Sequence, residues 1–369
     1  MPERFRVAVI GHTGRGNYGH GMDTVWLDFP DCELVAVSDP DEGGRGEAQK
    51  RLGVARGYSD YRRMLEEIRP DIVAIGPRWI DQHLEMCLAA IERGCHIFIE
   101  KPFCRSLEEA DKIVDACERK HIQLAIAFPA RYSPRVHAVK RLLAEGAIGR
   151  VIELHGRGKE DPRGGGEDLW VLGTHVLNAM AFLAGFPAWC YATVLQDGGL
   201  SGKEDIVEGP EGIGPLLGDT VQAVYGMPGG VTAHFHSVRN AGLKASRFGI
   251  RIHGAEGVVE MEMGAMPKVR VLRNPRWSTA NGEGKWDEVS SGGIGVSEPL
   301  TDPLVTTYNG LAVKNFLEAI QTGGQPQANM YEARNTIEMI AAVFESHRLG
   351  ARVSLPLENR SNPLELMKR

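Results

Sequence analysis

Short apolar runs alternate with amphipathic ones along the first third of the chain. "RFRVAVIG" (4–11), "CELVAVSD" (32–39), "PDIVAIGP" (70–77), "GCHIFIEKP" (94–102) and "HIQLAIAF" (121–128) each hold an apolar run of strand length. Between them, residues 20–29, 44–52, 60–68, 81–93 and 106–119 place apolar side chains at helical spacing. The helix at 106 opens with Ser106 and Glu109, a capping-box pair. Continuously apolar strands alternating with helices predict a parallel sheet covered on both faces. Residues 1–127 are therefore expected to form a doubly wound domain.

The pattern changes after residue 128. "RVIELHGRG", "DTVQAVYGMP", "GGVTAHFHSV", "RFGIRIHG", "GVVEMEMG" and "KVRVLRN" read as strands between glycine-rich turns. Two stretches near 307–322 and 331–349 carry helical stripes. One apolar run, "GGGEDLWVLGTHVLNAMAFLAG" (164–185), reads as a helix with His175 and Asn178 in its middle. A polar pair inside an apolar helix costs free energy unless something pairs with it.

The totals exclude several functions. With 369 residues there is chain enough for two cores. A net charge of −6 and no basic run argue against a nucleic-acid surface. No apolar run reaches membrane-span length and no leader pattern is seen, so a cytoplasmic protein is expected. The six cysteines are scattered without a CxxC pair, which suits reduced thiols.

Ligands of doubly wound sheets bind at the carboxyl ends of the strands. The first such turn is "GHTGRGNYGHG", with Gly11-x-x-Gly14 directly after the strand and a G-x-G-x-x-G only at Gly14, Gly16 and Gly19. Gly11, His12, Thr13, Gly14 and Arg15 are the expected cofactor contacts, and Asp39, closing the second strand, suits a ribose hydroxyl. Asp41 and Glu42 would repel a 2′-phosphate, which favours NAD over NADP. The alternative is a mobile loop with Asp39 capping a turn.

The motifs "GCHIFIEKPFCRSLEEADKIVDACERKHIQLAIAFPARYSP", "LLAEGAIGRVIELHG", "GTHVLNAMAFLAG" and the 315–356 segment resemble the Gfo/Idh/MocA family of NAD(P)-dependent oxidoreductases over nearly the full length. The resemblance implies a second domain, 128–369, built on an open, mostly antiparallel sheet with helices on one face. It also implies a homodimer or homotetramer through the other face. It places Lys101 of the Glu100–Pro102 motif near the reacting carbon, where a cation stabilises a developing alkoxide. Glu100 is a further expected cofactor contact, and Gly76 and Pro77 fit the family's cofactor loop after the fourth strand, while Arg78 and Trp79 depart from it. Trp79 either stacks on a ring or plugs the domain seam, and His83 is expected to start the next helix or brace the loop. Arg131 either binds substrate or braces the domain junction.

The family's second signature is an aspartate four residues before a histidine and another three after it. His175 matches the histidine, but Val171 and Asn178 replace the acids. If one helix ran through both, Asp168 would lie roughly 10 Å from His175, at the far end of a sugar-sized ligand. Trp170 either lines that pocket or packs in the core. The loop "GRGKEDPRGGGED" offers Lys159, Glu160, Asp161, Arg163 and Glu167 as replacement charges, or is simply solvated. His234 and His236 share a strand face, but no third ligand is evident at a useful spacing, so no metal site is expected.

The expectation is an NAD-dependent dehydrogenase acting on a secondary hydroxyl of a sugar, cyclitol or glycoside. Lys101 and His175 would assist deprotonation, and Trp79, Arg131, Asp168, Trp170 and Asn178 would contact the substrate. Two alternatives stand beside it: a glycoside-cleaving enzyme that oxidises transiently with tightly held NAD, and a non-catalytic NAD- or sugar-binding sensor.

Overall fold

The computed structural model describes residues 4–241 and 247–369. They form two compact units. The first takes Met1–Pro129 with Pro210–Gly214 and Pro303–Arg334; the second takes Ala130–Gly209, Pro215–Asp302 and Asn335–Arg369. The sequence suggests one boundary at 127/128; Pro210–Gly214 and Pro303–Arg334 also group with the first unit.

The first unit holds a six-stranded parallel sheet: β1 (Phe5–Ile10), β2 (Cys32–Ser38), β3 (Gly57–Tyr58), β4 (Ile72–Ile75), β5 (His96–Ile99) and β6 (Leu124–Ile126), in the order β3-β2-β1-β4-β5-β6. Val7, Val9 and all of β4 are buried, as strands covered on both faces require. The connecting helices are α1 (Glu42–Leu52), α2 (Tyr61–Ile68), α3 (His83–Glu92) and α4 (Leu107–Lys120). Asp41, Asp60 and Ser106 cap α1, α2 and α4 by accepting from Gly44 N, Arg62 N and Glu109 N. All six cysteines are buried and free.

The expected helix at 20–29 does not form. Only a 3₁₀ turn, Thr24–Asp28, follows the glycine loop. Gly19 and Gly21 are left-handed (φ +60° and +72°), and Pro30 disfavours helical backbone at Phe29. The local apolar pattern was real: Met22, Val25 and Trp26 are buried, with the Trp26 indole donating to Met22 O. It is delivered by turns.

The second unit begins with α5 (Pro129–Tyr132), α6 (Pro134–Ala144), β7 (Val151–Arg157), α7 (Gly166–Val171), α8 (Gly173–Ala184), β8 (Trp189–Gln196) and β9 (Gly199–Leu200). A two-stranded ribbon of β10 (Val207–Gly209) and β11 (Gly214–Leu216) follows. Then come β12 (Thr220–Gly226), β13 (Thr232–Val238), β14 (Gly249–Gly254), β15 (Gly257–Glu262), β16 (Val269–Leu272), β17 (Trp286–Ser290) and β18 (Gly293–Ile294). The chain closes with α9 (Gly310–Thr322), α10 (Met330–Leu349), β19 (Val353–Ser354) and α11 (Pro363–Lys368). Of these, α9 belongs to the first unit, where Phe316 meets Phe98 of β5.

The large sheet runs β18-β17-β16-β15-β14-β7-β13-β12-β8-β19, antiparallel except where β7 meets β13. Along β8, β12 and β13 burial alternates. Cys190, Ala192, Val194, Val221, Ala223, Tyr225, Ala233 and Phe235 are buried, while their neighbours, Gly226 apart, are half-buried or exposed. One face is therefore covered. The Tyr225 hydroxyl donates to Met339 O, and Ala192 N donates to Ser346 Oγ, which ties α10 to this face.

Candidate active site

The strand order reverses at β1, between β2 and β4, the position where doubly wound sheets bind ligands. The loops leaving β1 and β4 meet there. Gly16 is left-handed (φ +89°), and a Cβ on it would sit 2.3 Å from Arg78 N. The Arg15 guanidinium lies 4.3 Å over the Trp79 ring and pairs with Asp81. His12 Nδ1 is 3.1 Å from Gln82 Oε1. Trp79 thus stacks, but on an arginine of its own chain. Gly14 N donates to Asn17 Oδ1, closing the turn. Gly76 and Pro77 start the β4 loop, and His83 braces it: its ring nitrogens lie 2.8 Å from Pro77 O and 3.0 Å from Phe103 O.

Asp39 is fully buried at the end of β2. Thr13 N donates to both of its oxygens, at 3.1 and 3.0 Å, and Thr13 Oγ1 donates to Oδ2 at 2.8 Å. Asp41 N adds a fourth bond, and Arg45 donates to the Asp39 carbonyl. Thr13 stands two residues after Gly11, where a dinucleotide fingerprint has its second glycine. Its hydroxyl reaches Asp39 as a ribose hydroxyl would. The acceptor therefore fits the ribose of NAD, with Thr13 as a stand-in on the same oxygen.

Glu100 and Lys101 follow β5, both buried. Glu100 Oε2 accepts from His20 N at 2.9 Å and lies 3.0 Å from His20 Nδ1, and Oε1 accepts from Lys101 N. Burial raises the Glu100 carboxyl, but the His20 bond and the Lys101 charge outweigh it and hold it below the usual carboxylate range. The site thus keeps an anion beside a buried cation. His20 stacks on Tyr308 at 5.5 Å, and Asn309 Nδ2 donates to His20 O. Burial, then the Glu100 charge, pushes the Tyr308 phenol up. No sequence signal joined His20, Tyr308 and Asn309 to the Glu100–Lys101 pair, because they lie far apart along the chain.

In the second unit, the apolar run breaks into α7 and α8 at Leu172 (φ −126°, ψ −41°). Gly164, Gly165 and Gly166 let it begin against the sheet. Cβ atoms there would lie 2.2 to 2.4 Å from Arg239, Asp219 and Leu217 backbone. Asp168 and His175 are therefore not on one continuous helix. Asp168 is fully buried: Oδ2 accepts from Ser237 Oγ at 2.6 Å and Glu160 N at 3.2 Å. Burial raises its carboxyl above the usual range, against those bonds. Among the described residues its Oδ1 has no hydrogen-bond partner, nor do Trp170 Nε1 and Thr174 Oγ1, all buried. His175 is buried on α8, and Asn178 donates to Thr336 Oγ1 of α10 at 3.2 Å. Val171 is buried near the end of α7.

The loop charges are engaged. Glu160, itself buried, is paired with Arg157 and Arg247, and Asp161 with Arg163. Arg131 lies 4.6 Å over the Phe182 ring of α8.

Residues 5–128 match the family model described as oxidoreductase family, NAD-binding Rossmann fold, and residues 136–260 match the Gfo/Idh/MocA C-terminal domain. Levoglucosan dehydrogenase of Pseudarthrobacter phenanthrenivorans is 26% identical over 89% of this chain and 90% of its own. D-apiose dehydrogenase of Paraburkholderia graminis is 24% identical over 96% and 90%. A solved structure of levoglucosan dehydrogenase with NADH and levoglucosan aligns with a TM-score of 0.76 at 21% identity, over 96% of this chain and 99% of that one, a likeness of fold.

Proposed function

This chain belongs to the Gfo/Idh/MocA family of oxidoreductases, and from that premise we propose that it is an NAD-dependent dehydrogenase oxidising a secondary hydroxyl of a sugar, cyclitol or glycoside. Lys101 carries the proposal: a buried cation at the carboxyl end of β5, beside a carboxylate held ionised. NAD, when bound, supplies a hydride acceptor. Asp39 would hold its ribose, with Gly11, His12, Thr13, Gly14, Arg15, Gly76 and Pro77 around it.

Oxidation of an alcohol leaves its oxygen negative as the carbon gives up hydride. The Lys101 ammonium stabilises that oxygen, in a buried setting where a charge acts more strongly than in water. Glu100 positions Lys101 and is itself fixed by His20. His175 takes the role of proton acceptor. Val171 and Asn178 stand where the family signature has acids. The unpartnered atoms of Asp168, Trp170 and Thr174 favour a ligand rich in hydroxyls, since a buried polar atom without a partner costs about 1–3 kcal/mol. The carbohydrates in the relatives' names support the same class.

We also assign the protein to the cytoplasm, on its six buried free thiols, and to a homo-oligomer through the half-exposed sheet face, where Tyr191 is 47% exposed. Among the described residues no helix is long and apolar enough to cross a membrane. The test is NADH formation across a broad panel of sugars, polyols and glycosides, with wild type and Lys101→Ala. The proposal is abandoned if no member of the panel reduces NAD and Lys101→Ala leaves ligand binding unchanged. Light scattering of the purified chain reads the oligomer.

A further inference from the structure

The half-exposed face of the large sheet gathers histidines that lie far apart in sequence. β14 runs antiparallel to β7 with His253 opposite Glu153 and Arg251 opposite His155, while β13 sets His234 beside His155. Side chains at 153, 155 and 253 point to the same side, because strand residues alternate and cross-strand partners share a face. That side faces away from α8. Leu154 is buried, and a Cβ on Gly156 would collide with Met180 and Val176 of α8, so the alternate positions of β7 face the helix.

Three side chains converge. Glu153 Oε1 lies 3.0 Å from His155 Nε2 and 3.6 Å from His253 Nδ1. One donor atom from each residue lies within 4.8 Å of the other two. The two imidazole nitrogens are shielded from solvent and have no aligned hydrogen-bond partner among the described residues. The rings are held by packing. His155 stacks on His234 at 4.6 Å and meets His253 edge-on at 5.2 Å, and Trp277 lies against His253 at 4.7 Å. The nearby cations are engaged elsewhere, Arg251 with Glu260 and Arg157 with Glu160.

We propose that Glu153, His155 and His253 form a binding site for a divalent transition-metal ion of the zinc class. Ligand bonds of about 2.0–2.1 Å in a tetrahedral shell put donor atoms about 3.3–3.4 Å apart. The two observed separations to Glu153 straddle that spacing, and rotation of half-exposed side chains closes the third. Two neutral imidazoles and one carboxylate suit zinc, nickel, copper or iron, whereas magnesium and calcium prefer an all-oxygen shell. The ion ties β7 to β14 on the face away from α8, so it is a structural element of this unit. The remaining positions are left to water or to the second subunit on this face.

The experiment uses the full-length, untagged chain after chelation, titrated with zinc by calorimetry and with cobalt by visible absorption. The expected result is one ion per chain, a cobalt spectrum of low-symmetry coordination, and a zinc-dependent rise in melting temperature. Glu153→Gln and His253→Gln should each weaken zinc binding at least about tenfold, the loss of one ligand from three. Both positions are partly exposed, and melting of each variant in chelator should match wild type. Absence of stoichiometric binding by the wild type, or binding unchanged in both variants, overturns the site.

Discussion

Thr13→Val isolates the contact between the glycine loop and the end of β2. Valine keeps the shape of threonine and the backbone bonds from Thr13 N to Asp39, and it removes only the hydroxyl that donates to Asp39 Oδ2 at 2.8 Å. Asp39 is fully buried and already accepts four bonds, about the capacity of a carboxylate. A ribose hydroxyl reaches Asp39 only by displacing one of them. A hydrogen bond to a charged group is worth about 1.5–3 kcal/mol. Removing that competitor should tighten NADH binding by about tenfold to a hundredfold, at 1.4 kcal/mol per decade. The same change should lower the ligand-free melting temperature, since the bond also holds the loop. Fluorescence titration with NADH reads the first effect and calorimetric melting the second. An unchanged or weaker NADH affinity in a folded Thr13→Val variant would show that Asp39 is not the ribose acceptor.

Lys101→Met keeps the buried bulk and removes the charge; turnover should fall by about a hundredfold or more while NADH titrates nearly as before. Glu100→Gln removes a buried anion that faces Lys101 and His20, and should cost about 3 kcal/mol in denaturant unfolding. Because the folded state depresses Glu100, its contribution is complete above the usual carboxylate range and is lost as pH falls through the lower folded value, so the wild-type advantage should shrink in strong acid. Asp168 has the opposite sign: burial raises it, so wild type loses stability as pH climbs above the unfolded value. Asp168→Asn should therefore melt no lower than wild type at neutral pH, and its relative advantage should vanish in acid; a large loss at neutral pH would show that the charged form is needed.

Pattern alone determined the parallel sheet. Strands such as β4 are apolar at every position because both faces are covered, and that condition is written residue by residue in the chain. The placement of Glu100 and Lys101 at the end of β5 and of His175 on a helix followed from local pattern as well. Three features did not. The expected helix after Gly19 became turns, because left-handed glycines and Pro30 overrode an apolar stripe that turns bury equally well. The apolar run at 164–185 broke at Leu172, since the three glycines admit its start against the sheet and so separate Asp168 from the His175 helix. His234 and His236 of β13 had no third ligand at a useful spacing along the chain. Strand pairing set His155 and Glu153 beside residues some 80 to 100 positions away. Local periodicity encodes what each segment buries; which side chains share a carboxylate or a sheet face depends on long-range register, and only the folded chain decides that.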